Sequence, residues 1–213
     1  IQLAKKPEII LLNIVIVLKA ASFSSIESML EVHLYEHFGS SPSETSLVFL
    51  AFILPSIIAV IVIGWISGRI RRYLIISLGL ILHPISGPLI TSSENIYHVV
   101  GGGILFGIST SIFGSPVSPE LAEIVKSYGG SSYARVYGIL NISYSFGILI
   151  GPSLVAYFTR KTNFMSAMVG LSLMPLIYAP IFYSLMKSLY LTRQLRLNKL
   201  STFESTPITH VTK

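Results

Sequence analysis

Glu27 is the residue whose chemistry most needs a reason. It lies about 20 residues into an apolar stretch that opens near residue 8, with Lys19 eight positions before it and Glu31 four after. A charge at such depth in hydrocarbon costs at least about 2.5–3.5 kcal/mol on insertion scales, so it is found facing a partner or a water-filled cavity. At roughly 100° per helical residue, Lys19 and Glu27 stand about 80° apart, and Glu31 shares the face of Glu27. One reading is a polar stripe along a cavity, with Glu27 as the carboxylate that binds and releases a proton or cation. The plainer reading puts Glu27 and Glu31 in the outer interface and has Lys19 neutralise a structural neighbour.

A second cluster lies in Tyr137–Phe158, YGILNISYSFGILIGPSLVAYF. Tyr137, Asn141 and Tyr144 are spaced to share one helix face. A buried amide such as Asn141 can read a solute by hydrogen bonds without titrating. Gly147-x-x-x-Gly151-Pro152 follows, a small-residue seam of the kind that lets two helices pack closely. In GILFGISTSIFGSPVSP, Ser111 with Ser109, Thr110, Ser115 and Ser118 either lines a pathway or bonds its own helix carbonyls. His33 and His37 have the spacing of two metal ligands on one face but lack a third, so an interfacial position is expected. His83 precedes Pro84 and is expected as a buried polar group.

The elements that hold these residues follow from composition. Of 213 residues, 52% are hydrophobic and 11% charged, with a mean hydropathy of +0.72. A water-soluble domain carries about 25% charged residues, so lipid is the expected solvent. The absence of cysteine excludes disulfides and Cys-based metal sites, all nine acids are Glu, and no cofactor is implied. The net charge of +6 sits in short clusters between apolar runs. That is the pattern of membrane loops and not of a nucleic-acid-binding domain. Starting at Ile1, the chain reads as a piece of a longer protein trimmed at its N-terminus.

A membrane-spanning helix needs roughly 20 mostly apolar residues. Six stretches qualify, at about 8–30, 46–67, 73–91, 96–119, 137–158 and 164–187. The predicted class is therefore an all-α membrane protein with six transmembrane helices in one bundle over 1–187, followed by a disordered tail at 188–213. Ser43 or Ser46 is expected to cap the second helix, Pro175 and Pro180 to interrupt the sixth, and 120–126 to form a short helix along the membrane surface. One set of loops carries Lys5, Lys6, Arg69, Arg71, Arg72, Lys126, Arg135, Lys187, Arg193, Arg196 and Lys199, the other only Arg160 and Lys161. The positive-inside rule then puts both ends of the segment in the cytoplasm.

Three segments resemble the C-terminal half of a major facilitator superfamily transporter, most closely the drug:proton antiporter branch that includes the vesicular amine transporters. They are the span ending Ile26-Glu27-Ser28, the loop Gly64-Trp-Ile-Ser-Gly68-Arg69-Ile-Arg71-Arg72, and Val136-Tyr137-Gly138 through Gly147-x-x-x-Gly151-Pro152-Ser153. The chain departs from that branch in its loop, which has Gly68 in place of an acid and Arg71 in place of a glycine. The amine carriers also hold aspartates at Asn141 and near Gly114. The resemblance implies alternating access to a midplane site between two six-helix bundles, of which this chain is one, the N-terminal half being absent. It implies a small organic solute and protons as cargo, a lipid bilayer as surroundings and no enzymatic activity. The substitution at Asn141 implies a less cationic cargo than an amine.

An intramembrane serine protease is disfavoured, because Gly107-Ile108-Ser109 is followed by Thr110 and the sole later histidine is His210. A six-span channel would need an Arg-rich sensor or a filter loop. The remaining alternative is a partial or decayed transporter fragment acting as a non-transporting membrane protein.

Overall fold

The computed structural model describes residues 5–91, 95–129 and 133–205. They form eight α-helices: α1 (Pro7–Phe38), α2 (Pro42–Ile66), α3 (Arg72–Leu82), α4 (Ser86–Thr91), α5 (Ile96–Gly114), α6 (Val117–Ser127), α7 (Tyr133–Lys161) and α8 (Phe164–Ser205). Six segments among the described residues are long and apolar enough to cross a membrane, α3 with α4 and α5 with α6 each counting as one. The protein is an all-α, multi-pass membrane bundle.

Local chemistry sets the boundaries. Gly39 adopts φ 60° and ends α1, its N–H bonding back to the Tyr35 carbonyl at 3.0 Å. That left-handed conformation costs glycine no Cβ clash. The cap of α2 is Ser41, not Ser43 or Ser46. Its hydroxyl accepts from the Glu44 N–H while the Glu44 carboxylate accepts from the Ser41 N–H at 2.7 Å. Pro42 explains the earlier start, since the first helical position tolerates a residue without an N–H. At Pro84 the helix is interrupted, and the chain passes through a 3-10 turn at His83–Ile85, where the Ser86 hydroxyl donates to the His83 carbonyl at 2.6 Å. Pro116 separates α5 from α6.

Pro175 and Pro180, by contrast, lie inside an unbroken α8. Helical structure continues through 188–205, where disorder was expected, because this extension docks on the bundle. Tyr190 packs 5.5 Å from the Tyr73 ring and Arg193 is buried. Residues 206–213 of the expected tail lie outside the described residues.

Neighbouring pairs place the helices in two layers. α1 packs along α7 and α2 along α5, the two most extensive pairings, and α1 also meets α5. The front layer thus runs α2, α5, α1, α7. α3, α4 and α8 pack behind α5 and α1. Lipid offers no hydrophobic drive for helix association, so close packing must supply it. At Gly147 an added Cβ would stand 2.6 Å from the Val17 carbonyl oxygen, and at Gly151 2.4 Å from that of Ala21.

Gly147→Val or Gly151→Val should therefore force α1 and α7 apart and cost about 1–3 kcal/mol, as overpacking does. Gly138→Ala, which meets open space, should be neutral. Melting temperatures in detergent, read by fluorescence-detected size exclusion, check both.

Candidate functional site

α1 is the centre of the front layer. It touches α7 on one side through Val17, Ala21 and Ser25, and α5 on the other through Lys19. From behind, Ser22 and Ile26 face His83, Phe106 and Met168 across a small cavity. Only its front is left open, and Phe23, Glu27 and Glu31 are exposed there. Glu27 has no hydrogen-bond or ion-pair partner among the described residues. A carboxylate without a partner on the open face of the most buried helix is a group able to exchange a proton or bind a cation.

Lys19 is half-buried and lies on the flank of α1, not on its front. Its Nζ lies 2.8 Å from where a Gly114 Cβ would be. The glycine leaves the room that the end of this flexible side chain occupies against α5. The residues Lys19, Glu27 and Glu31 therefore form two groups, a flanking cation and an open pair of acids.

On α7, the Tyr137 hydroxyl donates to the Ser118 carbonyl of α6 at 3.0 Å. Asn141 and Tyr144 lie on that same side of the helix and are exposed. Asn141 is thus open to the front of the bundle rather than enclosed within this half. The neighbouring Ser143 is committed to packing, donating to Asn13 Oδ1 on α1 at 2.9 Å.

Ser111 is buried and donates to the Ser56 carbonyl of α2 at 3.1 Å, so it ties α5 to α2. Thr110 and Ser115 bond carbonyls of their own helix. His83 is fully buried between Phe106 and Phe113, with Nδ1 3.1 Å from the Ser109 hydroxyl. His33 is also buried, stacked 4.4 Å from the Phe164 ring and 4.8 Å from His37. No cluster of metal-ligating side chains occurs among the described residues.

The sequence reading passed over a buried ionic cluster at the basic end. Glu120 of α6 is 4% exposed and accepts from Arg193 Nη2 of α8 at 2.8 Å, with Arg72 of α3 at 3.5 Å. Arg72 also pairs with Glu123. Glu8, 4% exposed, sits nearby and accepts from the Tyr128 hydroxyl at 3.4 Å. The signal was present: Glu120 shares a helical face with the buried apolar residues Leu121, Ile124 and Val117, and an acid on an apolar face needs a cation. Of the loop motif, Arg72 enters this cluster, Arg69 lies exposed over the Trp65 ring, and Gly64 meets open space.

Removing one partner of a buried pair strands the other charge, a loss of about 3–5 kcal/mol. Glu120→Gln should show it, while Glu123→Gln, half-exposed, should change stability by less than about 1 kcal/mol. Ser109→Ala, which takes the partner from a buried imidazole nitrogen, should cost about 1–3 kcal/mol. Thermal unfolding of the three variants in detergent checks the ranking.

Residues 12–205 match the profile of the Major Facilitator Superfamily. Among curated proteins, the chain is 24% identical over 183 residues to the synaptic vesicular amine transporter of Mus musculus, covering 86% of this chain and 35% of that protein. It is 23% identical over 160 residues to the chromaffin granule amine transporter of Homo sapiens, covering 75% and 30%. It is 27% identical over 158 residues to the vesicular acetylcholine transporter of Mus musculus, covering 72% and 29%. The chain thus spans about a third of the length of the curated relatives it matches.

Proposed function

The chain belongs to the Major Facilitator Superfamily, and from that premise we propose that it is one six-helix half of a carrier moving a small organic solute across a membrane by alternating access. Proton coupling is part of the proposal. The observation that carries it is Glu27, exposed and unpartnered on the open face of α1. A carboxylate there costs several kcal/mol unless water, a proton or a solute reaches it. The front layer of α2, α5, α1 and α7 would face the second half of the carrier, and the cargo would bind between the halves near the bilayer midplane. The clustering of cations at one end of the bundle supports placing both ends of this segment in the cytoplasm.

Three residues bear on the cargo. The named relatives carry amines or acetylcholine, and the amine carriers that this chain resembles hold acids at Asn141 and near Gly114. Here the first is a neutral amide, and Lys19 lies against Gly114. A cation in place of a counter-charge disfavours a cationic solute, so the proposed cargo is neutral or weakly charged, read in part by Asn141 and Tyr144. Lys19 would act on the cargo field from the flank, and Tyr137 would hold α7 against α6. Ser111, bonded to α2, is assigned to packing.

A second reading, a partial or decayed transporter fragment that does not transport, draws on the same missing acids. The full-length parent in proteoliposomes separates the two. Glu27→Gln should abolish uptake driven by a pH gradient while the protein still folds and binds solute. Coupling unchanged by Glu27→Gln would remove proton coupling, and no uptake by the parent under any gradient would favour the second reading. Asn141→Asp should raise affinity for an organic cation by about tenfold, or about 1.4 kcal/mol, measured by competition binding.

A further inference from the structure

Four arginines meet at the basic end of the bundle, and acids neutralise two of them. Arg72 and Arg193 take both carboxylates of the cluster, Glu120 and Glu123. Arg69 and Arg71 are exposed and have no ion pair among the described residues. They flank a cleft of about 220 Å³ that Arg72 and Tyr190 also line, together with Glu120 and Glu123, whose carboxylates are taken up by Arg72 and Arg193. Aromatic rings hold both guanidinium groups in place. Arg69 Cζ lies 3.7 Å from the centre of the Trp65 ring, and Arg71 Cζ lies 5.4 Å from that of Tyr190. Arg72 Nε, on the same cleft, is buried without a hydrogen-bond partner. The cleft opens at the first turn of α3, whose N-cap residue Arg71 makes no side-chain cap bond, so the positive end of that helix adds to the field.

We propose that this cleft binds a phosphate group, supplied in the membrane by the headgroup of an anionic phospholipid. Planar guanidinium forks match the oxygens of a phosphate in pairs, and two unneutralised arginines suit an anion. Trp65 fixes the depth: it is 64% exposed in the last turn of α2, as indole rings are at the headgroup level. A phosphate sitting there would complete the charge balance of the α2–α3 loop and clamp it to the ends of α6 and α8. Nothing in this depends on which side of the membrane the loop faces or on what the protein transports.

The test uses the whole chain in nanodiscs of phosphatidylcholine alone or mixed with phosphatidylserine. Native mass spectrometry should show retained phosphatidylserine in preference to phosphatidylcholine by about tenfold, matching about 1.4 kcal/mol, and the melting temperature should rise with it. Arg69→Gln with Arg71→Gln should remove both effects. Lys187→Gln with Arg196→Gln removes the same charge elsewhere on the basic end and should leave both. Equal loss in the two double variants means diffuse attraction and overturns the site. If the Gln pair fails to fold, Arg69→Lys with Arg71→Lys keeps the charge but not the fork, and should weaken retention. Inorganic phosphate, added both to the phosphatidylserine nanodiscs and to the protein in lipid-free detergent, distinguishes the sources. Competition with bound phosphatidylserine supports the shared phosphate chemistry. Stabilisation by phosphate with no preference among lipids overturns the headgroup as occupant.

Discussion

The approach of α7 onto α1 governs the rest of the bundle. Gly147 and Gly151 bring one helix against the backbone of the other at Val17 and Ala21, a separation that no side chain larger than hydrogen permits. In lipid, where exposed apolar surface costs little, such contact replaces the hydrophobic effect as the source of association. Once α7 is fixed there, α1 is enclosed on three sides by α7, α5 and α8. The one direction left open is the one in which Glu27 projects.

Glu120 and Glu27, both on apolar helices, stand in opposite surroundings. Glu120 is enclosed and doubly paired, so it serves as a fixed joint among α3, α6 and α8. Glu27 is open and unpaired among the described residues. A joint gains from burial because low dielectric strengthens the pair, whereas a group that must change protonation or partner gains from access. The same element type, a glutamate on an apolar helix, is thus a fixed joint at one end and an open, unpaired group among the described residues on the front.

Periodicity and length made the six spans and the small-residue seam legible, because bilayer thickness imposes one rule on every span. The cap of α2 was equally present as Ser41-Pro42-Ser43-Glu44, where the Pro at the first helical position and the Glu two residues later both point to Ser41. Pro175 and Pro180 were not readable, since a proline breaks or merely bends a membrane helix according to what neighbours can offer its freed carbonyl. The helical run beyond 187 was hidden for a similar reason. Its composition is that of a tail, and only docking of Tyr190 and Arg193 on α3 and α6 makes it part of the bundle. Among the site residues, sequence placed Tyr137, Asn141 and Tyr144 on one side of α7 but could not separate Ser111, whose partner Ser56 is 55 positions away.

Lys19 and Gly114 together set the charge on one flank of the proposed site. With a glycine at 114, the lysine stem lies on α5 and its ammonium occupies space that a carboxylate would otherwise fill. An acid at 114 would draw the lysine into a pair; without one, the proposal has its charge act from the flank on the solute. Coulomb attraction or repulsion between unit charges a few ångströms apart is worth several kcal/mol at the dielectric of such a cleft. That is enough to set the sign of the charge a cavity accepts. The neutral amide of Asn141 cannot reverse it, and Glu27, about two helical turns further along α1 on its open face, is an acid placed to offset it. The proposed preference for a neutral or weakly charged cargo therefore rests on the balance of charge between Lys19 and Glu27.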